Sequence, residues 1–186
     1  MESLRKGNFE HNNTIFQVRQ PIEEVINILE FKAKNKQIEI TTNYVNLKDT
    51  MPICCDKQRI MQVTLNLLSN AVKFTPLKGK IHIKIRHIRG KGVKAVKKGL
   101  LHPQLTACHG SSNMLEVSVW DNGVGIHQNN MNRLFEHDGF IQSVKNKDSG
   151  GIGLGLYACR KILHAMGGEI VCESKWGYES RFTFVV

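Results

Sequence analysis

Asn66, Asn70 and Lys73 stand four and three residues apart in the stretch RIMQVTLNLLSNAVKF. At about 100° per residue they fall within a stripe roughly 60° wide along one side of a helix. Two amides and an ammonium in a row suit two kinds of ligand. The amide oxygens suit a hard cation, and the amide N–H groups and the ammonium suit phosphates. A solvated helix face would carry the same residues. Asparagine is a poor helix former, though, so its repeated use in an apolar run asks for a reason beyond folding. Two more stretches carry related chemistry. DNGVGI (121–126) puts Asp121 at a strand end, with Gly123 and Gly125 free to take positive φ and let backbone come close. A carboxylate there can accept from an exocyclic amine such as adenine N6, and D-N-G is also a common turn. GGIGLGL (150–156) runs into a helical pattern, where backbone N–H groups can hold an anion or a hinge can bend.

Each stretch is a weak signal alone, and several stronger motifs are absent. No GxxxxGK[ST] occurs, the glycine run does not follow a first βαβ strand, and HDG at 137–139 is neither HRD nor DFG. His102, Cys108 and His109 match no standard zinc spacing. The five cysteines form no CxxC pair and no framework, which fits a reducing compartment. No run approaches the ~18 apolar residues of a membrane span, and the first residues lack the apolar core of a signal peptide. The net charge of +10 points to an anionic partner, either nucleic acid or a small ligand. Much of it is local, in RHIRGKGVKAVKKGLLH, so it is not read as a whole-surface property.

The elements that must position these residues follow from periodicity. With 186 residues the chain can build one domain with a real core. Ile60, Val63, Leu67, Ala71 and Phe74 repeat at i, i+3, i+4, i+7, so the amide stripe flanks the inward face of a helix capped by Asp56. Pro21 with Glu23 and Glu24 opens an earlier helix, after a polar lead of residues 1–20 lying at an edge. QIEITTNYV reads as a strand. KIHIKIRHI alternates Ile81, Ile83 and Ile85 inward, and MLEVSVWD is its partner, with Leu115, Val117 and Val119 inward. A helix is expected near 128–135. Another begins in GLGLYACRKILHAMGG and stops at Gly167–Gly168. EIVCES and SRFTFVV follow as antiparallel strands, the second turning Phe182, Phe184 and Val186 inward. The predicted fold is an α/β two-layer sandwich, one mixed, mostly antiparallel sheet covered on one face by helices.

The ordered triple of motifs resembles the ATP-binding domain of the gyrase, Hsp90, histidine-kinase and MutL superfamily, the Bergerat fold, and the histidine-kinase branch most closely. NLLSNAVKFT resembles the N box, DNGVGI the first glycine box, LFEHDGF the phenylalanine box with Phe135, and GGIGLGL the second glycine box. The resemblance implies ATP and Mg²⁺ as ligands. It implies Asn70 as the metal ligand, with Asn66 and Lys73 holding the phosphates and carrying catalysis. Phe74 would lie near the adenine or ribose, and Asp121 would accept from the adenine amine. Gly123, Gly125 and Ile126 would line the adenine pocket. Gly151, Gly153, Leu154, Gly155 and Leu156 would form the phosphate loop, and Thr183 would assist at adenine. The gyrase-type ATPases have a water-activating Glu where this chain has Asn66. The expected reaction is therefore γ-phosphoryl transfer to a histidine, with positioning and charge stabilisation as the catalytic means.

The same resemblance sets the organisation. Residues 1–14 read as a polar lead from an upstream dimerisation region. Residues 15–186 read as the ATPase domain, with a basic insertion at about 89–113 and a lid at about 137–150. The insertion is open to two readings, a surface loop or a docking loop for an acidic partner. His11, followed by Asn12, does not fit an acceptor histidine, so the acceptor would lie on a separate histidine-containing dimerisation domain. A response regulator receiver domain would act downstream. No nucleic acid is expected, and the isolated domain is expected to be a monomeric cytoplasmic domain, with membrane attachment of a longer chain left open. In GYESRF, Glu179 stands where the family's third glycine box has Gly. That departure, the insertion and the absent acceptor leave an ATP-binding regulatory or scaffold domain as an alternative, and a gyrase- or MutL-like ATPase as a more distant one.

Overall fold

The computed structural model describes residues 12–47, 52–89, 113–136 and 155–186. The centre is a five-stranded sheet. Its strands are β2 (Glu39–Val45), β4 (Lys80–Arg89), β5 (Asn113–Asp121), β6 (Glu169–Lys175) and β7 (Glu179–Val185), in the order β2-β4-β5-β7-β6. Only β2 and β4 are parallel. On one face lie α1 (Arg19–Asn35), α2 (Lys57–Phe74) and α4 (Gly155–Ala165), with α2 in the middle. This is the expected two-layer sandwich.

The alternation of β4 works as predicted. Ile81, Ile83 and Ile85 are fully buried against the helices, level with Val117 and Val119 of β5 and with Phe182 and Phe184 of β7. Burying side chains of this size contributes about 1.5–3 kcal/mol each. From the helices, Ile22, Val25 and Leu29 of α1 and Ile60, Val63, Leu67 and Leu68 of α2 close the core. Val186, expected inward, is half-buried and packs on its margin. Asp56 caps α2 as its residue type suggests, its Oδ1 accepting from Arg59 N at 3.1 Å. On the other face of the sheet Arg86 makes a two-pronged pair with Glu116, Nε to Oε1 at 3.0 Å and Nη2 to Oε2 at 2.8 Å. The pair sits directly across the β4–β5 ladder and pins its register.

Three expectations change. The lead is not simply polar and peripheral. Thr14–Gln17 is a strand, β1, paired antiparallel with β3 (Pro52–Cys55) in a second small sheet, and Val18 behind it is buried. Asn12 N also donates to the capping Asp56 at 3.2 Å, so the lead is tied to the start of α2. The helix near 128–135 is a single turn, α3 (Gln128–Met131), followed by turns. Its N-terminus is capped by His127 Nδ1, which accepts from Asn129 N at 3.2 Å. Phe74, counted among the inward residues of α2, is instead 38% exposed at the helix end. The lid at 137–150, most of the insertion, and Gly151, Gly153 and Leu154 lie outside the described residues, as does His11.

Candidate functional site

The amide stripe is built as the periodicity requires. Asn66 and Asn70 are half-buried one turn apart, and Asn70 Nδ2 donates to Asn66 Oδ1 at 3.3 Å. That bond uses one of Asn70's two N–H donors, and its amide oxygen has no hydrogen bond among the described residues. Lys73, one turn further, is exposed, and its ammonium lies 5.1 Å from the centre of the Phe74 ring. Asn66 of the stripe faces the start of α4. A Cβ on Gly155 would run into the Asn66 side-chain amide, so glycine at 155 lets the helix begin close against that amide. Asn66 of the polar stripe and the first residue of α4 therefore share one wall.

Asp121 ends β5 near the C-terminal end of α2, where Gly123 lies between it and the Phe74 carbonyl. It is buried, and its Oδ1 accepts from Gly123 N at 2.9 Å, while Oδ2 accepts no hydrogen bond among the described residues. Burial raises its pKa to about 6. The Gly123 bond opposes that shift, and the charge of Glu179 adds to it. A carboxyl held above its unfolded value is a cost to the fold at neutral pH. The cost is relieved as pH falls through about 6 and is gone below the unfolded value of 3.8.

The glycine loop is clamped from two sides. Val124 N donates to Phe74 O, and Gly177 N in the β6–β7 turn donates to Val124 O at 2.7 Å. Gly125 has φ +68°, and a Cβ there would collide with the Lys175 carbonyl. Ile126 N donates to Ser174 Oγ at 2.8 Å. Ile126, Phe135 and Leu156 are half-buried and pack on the core margin. Stripe, helix start, carboxylate and glycine loop are thus brought together by direct contacts.

Thr183 is not brought to the site. Asp121 pairs across the ladder with Ser180, and directly paired residues share a face. Thr183 is three residues on and points to the opposite face, where its Oγ1 donates to Ser118 Oγ at 3.0 Å. Ser180 takes the inward place instead. It is buried beside Asp121, with Ser174 Oγ at 3.1 Å. The signal was available, because the alternation that turns Phe182 and Phe184 inward also turns Ser180 inward and Thr183 outward. Glu179 does not disturb the turn. Gly177 takes the positive φ of +81°, while Glu179 is the first residue of β7 and accepts from Trp120 Nε1 at 2.8 Å. The thiol of Cys172, on the same face as Asp121, is held well above its usual value by burial and then by the Asp121 charge, so it is a poor nucleophile.

Residues 55–186 match the family described as histidine kinase-, DNA gyrase B- and HSP90-like ATPases. The adaptive-response sensory kinase SasA of Synechocystis sp. is 31% identical over 88% of this chain, which spans 36% of SasA's length. The chain covers about a third or less of the curated relatives it matches. Among solved structures, the catalytic domain of histidine kinase ThkA superposes with a TM-score of 0.68 at 26% identity, over 96% of this chain and 95% of that one. Full-length ShkA in complex with AMPPNP superposes with a TM-score of 0.73 at 23% identity, over all of this chain and 33% of that one, a likeness of fold alone. No helix among the described residues is long and apolar enough to cross a membrane.

Proposed function

The chain belongs to the histidine kinase-, DNA gyrase B- and HSP90-like ATPases, and on that premise we propose that it binds Mg²⁺–ATP and donates the γ-phosphoryl group to a histidine on a separate dimerisation domain in two-component signalling. The observation that carries this reading is the contact of Asn66 with Gly155. It sets the amide of Asn66, bonded to that of Asn70, beside a helix start, a wall suited to a triphosphate, and the Phe74–Val124 link further along the same helix leads to a buried carboxylate suited to an adenine amine. Asn66, Lys73 and the backbone at Gly155 would hold phosphate oxygens. Phe74 would lie along the base or ribose, with Gly123, Gly125 and Ile126 around it. Leu156 and Phe135 would back the wall, and Gly151, Gly153 and Leu154 would extend the phosphate loop.

The donor set fits Mg²⁺. Asn70 offers a neutral amide oxygen, and a neutral ligand suits a cation already bound to phosphates. No three His, Cys, Asp or Glu side chains gather among the described residues, so the nucleotide would supply most of the remaining oxygens. Bound Mg²⁺ supplies charge neutralisation along the phosphates. This chain's own residues hold and orient the nucleotide, and none on the stripe can take a proton from water. That supports transfer over hydrolysis. The kinase names of the relatives support the same reading. A response regulator would receive the phosphoryl group from the histidine.

Incubating the chain with Mg²⁺–[γ-³²P]ATP and a histidine-containing dimerisation domain is expected to label that domain in an acid-labile form. Tight nucleotide binding with no transfer to any such domain would favour a regulatory ATP-binding role, and acid-stable label would favour a serine kinase. The binding itself should depend on pH. Below about 6 Asp121 becomes protonated and a poorer acceptor, so calorimetric affinity for Mg²⁺–ADP is expected to fall as pH drops from 7 to 5. An unchanged affinity over that range would remove Asp121 from the adenine contact.

A further inference from the structure

The last turn of a helix leaves carbonyls without partners, and their fate at the end of α2 can be followed one by one. Ala71 O accepts from Thr75 N at 2.9 Å. Phe74 O accepts from Val124 N of the glycine loop. Val72 O, Lys73 O and Thr75 O all accept from one group, the ammonium of Lys36, at 2.9, 2.9 and 2.8 Å. Lys36 comes from the end of α1. An ammonium has three N–H donors, and here three carbonyls converge on it. It has no carboxylate partner among the described residues, so its role is not that of a surface ion pair. Its own backbone is fixed too, its N–H on Ala33 O at 3.1 Å and its C=O accepting from Lys78 N at 2.9 Å.

The turn that Lys36 closes is the one that carries Lys73 and Phe74, and among the described residues its other outside hydrogen-bond partner is Val124 of the glycine loop. We propose that Lys36 is a positioning residue of the nucleotide site, which rests on the reading of that site given above. Its charge sits where a helix C-terminus favours a cation. By gathering three carbonyls it sets the direction in which Lys73 leaves the helix and the place from which Phe74 O receives Val124 N. Without it the turn can fray, and both the phosphate-side cation and the loop beside Asp121 lose their common anchor. A cap that merely adds stability would leave the affinity of the folded protein unchanged, whereas a positioning residue would not.

The test is calorimetric titration of Mg²⁺–ADP into the wild-type chain, Lys36→Met and Lys34→Met, at a temperature where circular dichroism shows each folded. Lys34 is an exposed neighbour paired with Glu30, so its replacement makes the same charge change away from α2. Lys36→Met is expected to weaken binding by about tenfold or more, and Lys34→Met by less than about twofold. In ¹⁵N–¹H spectra without nucleotide, the amides of Thr75 and Val124 are expected to move in Lys36→Met and to stay in Lys34→Met. A folded Lys36→Met that binds like wild type overturns the proposal. If Lys36→Met does not fold, Lys36→Gln decides in its place, weakened binding supporting the proposal and wild-type binding overturning it. A folded wild-type chain that binds no Mg²⁺–ADP overturns the nucleotide reading itself, and the role of Lys36 falls with it.

Discussion

Asp121→Asn is expected to lose nucleotide binding and gain stability at once. The carboxylate is buried, its second oxygen has no partner among the described residues, and burial holds its pKa at about 6. At pH 7 the folded chain therefore carries an ionised group in a poor place for a charge. An asparagine keeps an oxygen for Gly123 N and removes the charge. The gain should be on the order of 1 kcal/mol in urea unfolding at pH 7 and should vanish near pH 4, where Asp121 itself is neutral. The adenine amine, however, would meet an amide with a single acceptor already engaged. Mg²⁺–ADP affinity should drop by about a hundredfold, the scale of a lost bond to a charged acceptor. A variant that binds normally would mean that the carboxylate serves some other end. A variant that is less stable at pH 7 would mean that the aspartate is held by partners beyond Gly123.

Asn70→Ala should act on the metal and not on the base. One of its N–H groups donates to Asn66, and its amide oxygen, with no hydrogen bond among the described residues, is the proposed hard ligand of the stripe. The clearest readout is the ratio of nucleotide affinities with Mg²⁺ and with EDTA. In the wild type Mg²⁺ should tighten ATP binding, and in Asn70→Ala that ratio should approach one. Phosphotransfer to a supplied dimerisation domain should fall by about a hundredfold or more, as when one fixed electrostatic contact to a developing charge is lost. Asn66 would also lose a neighbour, so the fold should be checked by thermal melting. A variant that keeps its Mg²⁺ dependence would place the metal on other oxygens.

Much of this was legible from the chain because local pattern and tertiary demand agree. The isoleucines of β4 alternate and are buried alternately. Asp56 precedes an apolar period and caps it. The stripe of Asn66, Asn70 and Lys73 needed only helical geometry to be found, and its meaning came from the order of the glycine motifs after it. Other features depend on contacts that no local pattern records. Thr14–Gln17 is four residues with little apolar alternation, and it is a strand only because Pro52–Cys55 offers it an edge. Phe74 continues the apolar period of α2, yet it reaches the end of the helix where the layer it should cover has run out. Thr183 was misplaced by analogy of motif, although the pleat already assigned it to the other face. Lys36 looks like any lysine at a helix end, and only the return of α2 gives it three carbonyls.

The sheet order has a consequence for synthesis. β7 is an interior strand, lying between β5 and β6, and it is the last element described. A nascent chain emerging from the ribosome can lay β4 against β5 and pack α2 over them. It then waits with one flank of β5 unpaired, and β6 has nothing to join until residues 179–185 are free of the exit tunnel. Until that moment the partly built sheet presents an open row of backbone donors and acceptors, the feature that invites pairing between chains. Phe182 and Phe184 arrive with the same strand, so the edge and the core are sealed in one step.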